Sequence, residues 1–242
     1  MTKKVTPYTT SDQSKKEQVE QMFDTISGKY DGLNRVISFG IDVKWRKKVI
    51  KLVTETKPES ILDIATGTGD LIINFADSGA SKLVGLDISE GMLSIGRTKI
   101  KAKGLEDRIE MIQADSEAMP FENDSFDAIT VAFGVRNFET LEKGLREIYR
   151  VLKPGGIFVI LETSVPTKTP FKQGYKFHSN VILPTVGRLF SKDKEAYSYL
   201  SKSASVFPFG EALNNILRKI GFTNVKDQPQ TFGVATIYTA SK

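Results

Sequence analysis

From residue 60 to residue 161, short apolar runs alternate with stretches of helical periodicity. The runs fall at residues 61–65, 83–87, 109–114, 126–133 and 157–161. Each has the length of a strand, and the fourth is almost unbroken, as suits a strand buried on both faces. After the first run, Leu71, Ile72, Phe75 and Ala76 recur at helical spacing behind Asp70, which reads as their N-cap. Ser89 opens a second helix carrying Met92, Leu93, Ile95, Gly96 and Ile100. A third covers residues 140–152 and is stopped by the breaker cluster Lys153-Pro-Gly-Gly156. This alternation predicts an α/β architecture, an open and mostly parallel sheet with helices on both faces.

The flanks depart from that rhythm. Residues 1–14 are polar and read as a frayed tail. From Lys15 the pattern is helical, with Val19, Met22, Phe23 and Ile26 on one face. The segment Tyr30-Asp-Gly-Leu-Asn34 reads as a break. Asp42 then caps a second helix through Trp45, Val49, Leu52 and Val53, ended by Pro58. Residues 1–57 are therefore expected to be a tail and helical cap, and residues 58–242 the sheet-bearing domain. An insert at 165–207, punctuated by Pro166, Pro170 and Pro184, carries Phe171, Tyr175, Phe177, Phe190, Tyr197 and Tyr199. A helix at 211–220, closed by Gly221, and strands at 222–225 and 232–239 bring the expected sheet to seven strands.

Composition narrows the chemistry. The chain has 242 residues, 40% apolar and 26% charged, the balance of a soluble globular domain. With no cysteine and a single histidine, His178, it excludes disulfides, thiolate nucleophiles and Cys- or His-rich metal centres; no metal site is expected. No apolar run approaches a membrane span and no secretory signal is visible, so a cytoplasmic location is expected. The net charge of +5 is segregated: residues 60–164 hold 11 Lys/Arg against 17 Asp/Glu, residues 1–59 hold 12 against 8, and residues 165–220 hold 9 against 3. An acidic centre with basic flanks is not a nucleic-acid stripe. It suits a cationic ligand in the centre and an anionic membrane surface at the flanks.

The ligand signal is Asp63-Ile-Ala-Thr-Gly-Thr-Gly-Asp70, where the first run turns into the first helix. Gly67 and Gly69 permit positive φ and close backbone approach. Asp87 ends the second run twenty residues after Gly67, the spacing at which an acid holds a nucleoside's ribose. Asp115 and Ser116 end the third, where a carboxylate can accept from an adenine amine and a backbone N–H can donate to its ring. Ile72 stands where a dinucleotide fingerprint has its third glycine. Asp63 and Asp70 bracket the turn, which disfavours a pyrophosphate and favours a cation.

On these residues the chain resembles a class I S-adenosylmethionine-dependent methyltransferase, a Rossmann-like fold. More narrowly it resembles the ubiquinone/menaquinone biosynthesis C-methyltransferase (UbiE/MenG) family. That resemblance spans roughly residues 19–240. It rests on Met22-Phe-Asp-Thr-Ile-Ser-Gly-Lys-Tyr-Asp31, Leu33-Asn-Arg35, the glycine-rich turn, Ala118-Met-Pro-Phe121, Phe133-Gly-Val-Arg-Asn137, Tyr149-Arg-Val-Leu-Lys-Pro-Gly-Gly156, and Gly187-Arg188 with Lys192-Asp-Lys-Glu-Ala-Tyr197. It implies S-adenosyl-L-methionine as cofactor, with contacts at Thr68, Asp87, Asp115 and Ser116. Ala132 replaces the serine that some members use just before Phe133.

The resemblance also implies a polyprenyl quinol acceptor, demethylmenaquinol first and a methoxy-polyprenyl-benzoquinol second. Methylation of a quinol ring carbon needs a phenolate, a positive group to stabilise it, and a dry pocket for the tail. Arg136 and Asn137 are the candidates for that work, with His178 as the only side chain that titrates near neutrality unperturbed. Tyr30 and Asp31 are expected at the entrance. A sterol or phenolic acceptor, a non-catalytic S-adenosylmethionine-binding scaffold and a nicotinamide-dependent dehydrogenase are the rival readings. The sequence carries no indication of oligomeric state.

Overall fold

The computed structural model describes residues 5–177 and 194–242. Seven strands form one sheet: β1 (Ser60–Ile64), β2 (Lys82–Asp87), β3 (Ile109–Gln113), β4 (Phe126–Ala132), β5 (Leu152–Thr163), β6 (Thr223–Gln230) and β7 (Ala235–Ser241). Their order is β3-β2-β1-β4-β5-β7-β6, with the first five parallel and β7 antiparallel to both neighbours. The chain order reverses between β1 and β4, so the crevice above their carboxyl ends is the topological switch point where such sheets bind ligands. Residues 153–156 do not leave the sheet as a turn. They belong to β5, and its pairing with β4 shifts register there, from Phe126 opposite Leu152 to Ala128 opposite Ile157.

Two hydrophobic cores sandwich the sheet. On one face α5 (Leu141–Val151) and α8 (Glu211–Ile220) pack Leu145, Ile148, Leu213 and Leu217 against Leu62, Ile129 and Phe158. On the other, α2 (Ile41–Thr54), α3 (Asp70–Asn74) and α4 (Glu90–Ala102) pack Trp45, Val49, Leu71, Ile72 and Leu93 against Ile61, Ala128 and Val159. Alternate residues of each parallel strand enter opposite cores, which is why these strands read as continuous apolar runs.

A third core closes the top. Val19, Met22, Phe23 and Ile26 of α1 (Lys15–Ile37) bury their shared stripe against Met92 of α4 and Ala196 and Tyr199 of α7 (Lys194–Val206). Each such side chain contributes about 1.5–3 kcal/mol on burial, enough to hold α1 across the carboxyl end of the sheet. Ser14 caps α1 in a capping box with Glu17. Asp24 then accepts from the Ser89 hydroxyl at 2.5 Å and the Gly91 amide at 2.9 Å, tying α1 to the start of α4.

Three expectations are corrected. Tyr30-Asp-Gly-Leu-Asn34 is no break: α1 runs through it to Ile37, since the third core holds the helix as far as Tyr30 and its backbone hydrogen bonds continue to the Ser38 amide on the Asn34 carbonyl. The chain turns instead at Ser38–Gly40, and Gly40, in the left-handed region, is the N-cap of α2. Asp42 lies inside the helix and accepts from the Ser38 hydroxyl at 2.6 Å. Likewise Gly69, at φ 79°, caps α3, and Asp70 is its first residue. Ser89 does cap α4, accepting from the Met92 amide. Within the insert, α6 (Phe171–Phe177) and α7 are helical. His178, Gly187, Arg188, Lys192 and Asp193 lie outside the described residues.

Candidate active site

The β1–α3 turn is held by its own acids. Asp63, at the end of β1, is buried and accepts from the Thr130 hydroxyl at 2.6 Å and the Thr66 hydroxyl at 2.7 Å. Burial pushes its pKa up to about 6, against the pull of those two hydroxyls. Gly67, at φ 58°, turns its amide onto Asp87 at 2.7 Å, and the Ser89 amide donates to the other Asp87 oxygen at 2.9 Å. Burial raises Asp87 to about 6 as well, with those amides opposing it. A Cβ on Gly67 would meet nothing within 4 Å, so the space over the turn is open. Across it, Gly134 approaches so closely that a Cβ would lie 2.4 Å from that of Ala65, which sets the width of the crevice.

Three cavities converge here. A cleft of about 690 Å³ follows the ends of β1, β2 and β3 and is lined by Gly67, Asp87, Asp115, Ser116, Phe133 and Asn137, with Lys16, Val19 and Phe23 of α1 as its roof. A smaller hollow of about 450 Å³ continues from it past Ala65 and Gly67, among Asp31, Asp42, Asp63, Asp70, Thr68 and Arg46. The third, about 920 Å³, lies on the far side of Phe133 between Trp45, Arg136, Tyr175, Leu200 and Val234. Tyr30 lines all three.

The expected cofactor residues are thus brought together, but several already have partners. Asp115 accepts from Lys16 at 3.2 Å and from the Glu117 amide at 2.8 Å. That carboxylate in turn raises the Lys16 pKa. Thr68 donates to Asp31 at 2.7 Å and accepts from Lys99 at 2.9 Å, while Lys99 also pairs with Asp31 at 2.5 Å and Asp70 at 2.7 Å. Asp70 is therefore neutralised from α4 and belongs to a latch joining α1, the turn and α4. A Cβ on Gly69 would meet Ile73, Met111 and Gly96.

Arg136 and Asn137 form a second constellation. The Arg136 guanidinium is buried and pairs with Glu162 at 2.5 Å while donating to the Phe133 carbonyl at 2.8 Å. Burial works against its charge, but the Glu162 carboxylate more than offsets that and raises its pKa. Its Nε makes no hydrogen bond among the described residues, although the side chain lines the 920 Å³ cavity. Asn137 accepts from the Tyr199 hydroxyl at 3.1 Å, and burial pushes that phenol well above its ordinary value.

Sequence reasoning missed Glu162, Arg46 and Lys99. Glu162 had a signal, a lone charge directly after the apolar run 157–161. Lys99 had none, because its partners Asp31 and Asp70 lie far away in the chain, and Arg46 had none because the Phe133 ring beneath it comes from a distant loop. No group of acidic or histidine side chains that could hold a metal occurs among the described residues, and no helix among them is long and apolar enough to cross a membrane.

This sheet order with a switch-point cleft, a glycine turn and an acid at the end of β2 defines the class I methyltransferase architecture. A solved S-adenosylmethionine-dependent methyltransferase from Thermotoga maritima, described as a possible histamine N-methyltransferase, superposes with TM-score 0.61 at 16% identity, over 92% of this chain and 99% of that one. The ubiE/COQ5 methyltransferase family matches residues 11–242, and the chain belongs to that family. It is 48% identical to a demethylmenaquinone methyltransferase of Bacteroides fragilis, over 99% of this chain and 98% of that protein. It is 42% identical to the ubiquinone/menaquinone biosynthesis C-methyltransferase UbiE of Geobacter sulfurreducens, over 99% and 93%.

Proposed function

We propose that the protein is an S-adenosyl-L-methionine-dependent methyltransferase that converts demethylmenaquinol to menaquinol. The observation that carries this reading is the meeting, at Tyr30 and Phe133, of a polar nucleoside cleft with a largely apolar cavity that has the Arg136 guanidinium in its wall. The residues fit the cofactor: Asp87 can accept from both ribose hydroxyls, Asp115 and the Ser116 amide can bind the adenine edge, and the open space above Gly67 admits the thioether arm. When bound, the cofactor supplies an electrophilic methyl on a sulfonium, whose transfer depends mainly on positioning.

The protein's part is then to hold the ring carbon in line and keep the ring electron-rich. Arg136, fixed by Glu162 and the Phe133 carbonyl, keeps a free Nε–H for a phenolate oxygen and stabilises its charge in a site sheltered from water. Asn137, oriented by Tyr199, can bind a second ring oxygen. Tyr30 separates the two ligands. His178 keeps only its sequence-based candidacy. Alkyl transfer to carbon releases a ring proton, which passes to solvent as the ring regains its aromaticity.

The acceptor's tail has a path. A further apolar hollow of about 840 Å³ shares Ile37, Ser38, Trp45, Tyr175 and Val234 with the ring cavity and opens among Phe39, Phe171 and Phe232. Phe171 and Phe232 stack at 3.9 Å, with their planes 4° apart, and Phe232 is 67% exposed. Exposed Lys168 and Lys172 flank Phe171, and exposed Arg35 and Lys44 flank Phe39. An apolar mouth with a basic rim suits a cytoplasmic enzyme that rests transiently on an anionic bilayer while its tailed substrate enters. Quinone mass spectrometry tests the reaction: purified protein and S-adenosylmethionine should add one methyl to demethylmenaquinol. Methylation of the methoxy-benzoquinol alone would move the assignment to the ubiquinone branch.

A further inference from the structure

The adenine and ribose contacts leave the other end of the donor unaccounted for. That end is an α-amino acid, with an ammonium and a carboxylate, and the 450 Å³ hollow beyond Gly67 is where the 5′ arm of a nucleoside held by Asp87 would lead. The hollow is crowded with acids: Asp31, Asp42, Asp63 and Asp70. Such a wall welcomes an ammonium and repels a carboxylate, so the carboxylate requires a specific cation. Lys99 is consumed by Asp31 and Asp70. Arg35, also on the wall, is an exposed residue at the rim.

Arg46 remains. It projects from α2 with its side chain 17% exposed, its guanidinium 5.7 Å over the ring of Phe133, and its Nε 3.6 Å from Asp42. That contact, to Asp42 Oδ2, is an ion pair along α2 but too long for a hydrogen bond, and the Ser38 hydroxyl holds the other Asp42 oxygen, Oδ1. The Arg46 Nε is buried without a hydrogen-bond partner. A buried donor left unsatisfied is unfavourable, and a guanidinium edge fits a carboxylate with two parallel bonds. We propose that Arg46 anchors the carboxylate of the methyl donor's amino-acid end. Because Arg46 and Phe133 also line the ring cavity, the anchor fixes the donor's arm against the wall that separates it from the acceptor. The proposal rests on S-adenosylmethionine being the donor.

Calorimetry with two ligands tests it without any turnover: S-adenosylhomocysteine, which has the amino-acid arm, and 5′-methylthioadenosine, which lacks it. Arg46→Met should weaken S-adenosylhomocysteine roughly 10- to 100-fold, the range of a charged hydrogen-bonded contact, and leave methylthioadenosine within about twofold. Arg46→Lys should fall between the wild type and Met. Unchanged S-adenosylhomocysteine affinity in both variants overturns the proposal, and so does equal weakening of the two ligands. Should the Met variant not fold, the Lys variant decides in the same way, by whether S-adenosylhomocysteine is weakened while methylthioadenosine is not. A wild type that binds neither ligand would instead refute the donor assignment itself.

Discussion

The cleft proposed for the donor and the cavity proposed for the acceptor share a wall at Phe133 and Tyr30, yet they are assembled differently. The donor cleft is made from consecutive strand ends, β1, β2 and β3, and its working groups are backbone amides and carboxylates within a few residues of those ends. Its geometry follows from the parallel sheet. The acceptor cavity draws on α1, α2, the loop after β4, the end of β5, and α6 and α7. Its charged centre, Arg136 with Glu162, joins two strands' ends across 26 residues of chain. The fold of a site built on strand ends tolerates loss of one side chain, whereas the fold of one built on a buried ion pair depends on both members.

That contrast can be broken most severely at Glu162. Glu162→Ala strands a buried guanidinium and should destabilise the protein by about 3–5 kcal/mol, read from urea unfolding, together with loss of methylation. If stability is unchanged, the pair is not what organises the acceptor side. On the donor side Asp87→Ala should weaken S-adenosylhomocysteine by roughly a hundredfold, through two ribose hydrogen bonds to a charged acceptor, while the fold survives. Retained affinity in calorimetry would remove the ribose assignment.

A gentler handle on the same group is pH. Asp87 titrates at about 6 in the folded protein, and the carboxylate is the form that accepts from ribose. Donor affinity should therefore be flat above about pH 7 and fall by up to tenfold per unit below 6. Folding stability should move the other way. The unfolded groups titrate near 3.8 and the folded Asp63 and Asp87 near 6, so the native state binds more protons in that window and loses stability as pH rises from 4 to 6. An affinity that is indifferent to pH between 5 and 7 would exclude Asp87 from the contact.

At the cavity mouth, Phe171→Ser with Phe232→Ser should raise KM for a long-tailed quinol roughly tenfold, by loss of apolar burial, and reduce flotation with anionic vesicles. A short-tailed analogue and S-adenosylhomocysteine should be unaffected, and equal effects on both quinols would dismiss the tail path. The smallest change is Tyr199→Phe. Loss of one hydrogen bond to Asn137 should cost about 1 kcal/mol, read as a several-fold drop in kcat with donor affinity constant.

The order of strands and helices from residue 60 onward could be read from periodicity because the parallel strands feed the cores on both faces of the sheet while each helix turns one apolar stripe inward. Gly67, Asp87, Asp115 and Ser116 were legible for a related reason: they are near in chain to the strand ends that carry them. The supposed break at Tyr30–Asn34 failed because a polar, glycine-bearing stretch looks like a turn until tertiary packing holds it helical. Asp63 and Asp70 were read as facing a cation, and their partners Thr66, Thr130 and Lys99 could not be foreseen from spacing.

Local sequence alone determined the strands, the helices between them and the glycine turn, since these depend on periodicity close along the chain and on backbone conformations that few residues adopt. The tertiary structure decided the rest. It laid α1 over the cleft, paired Arg136 with Glu162, set Tyr199 on Asn137 and left Arg46 with an unused donor. Those relations join residues distant in the chain, and no periodicity encodes which buried charge will meet which.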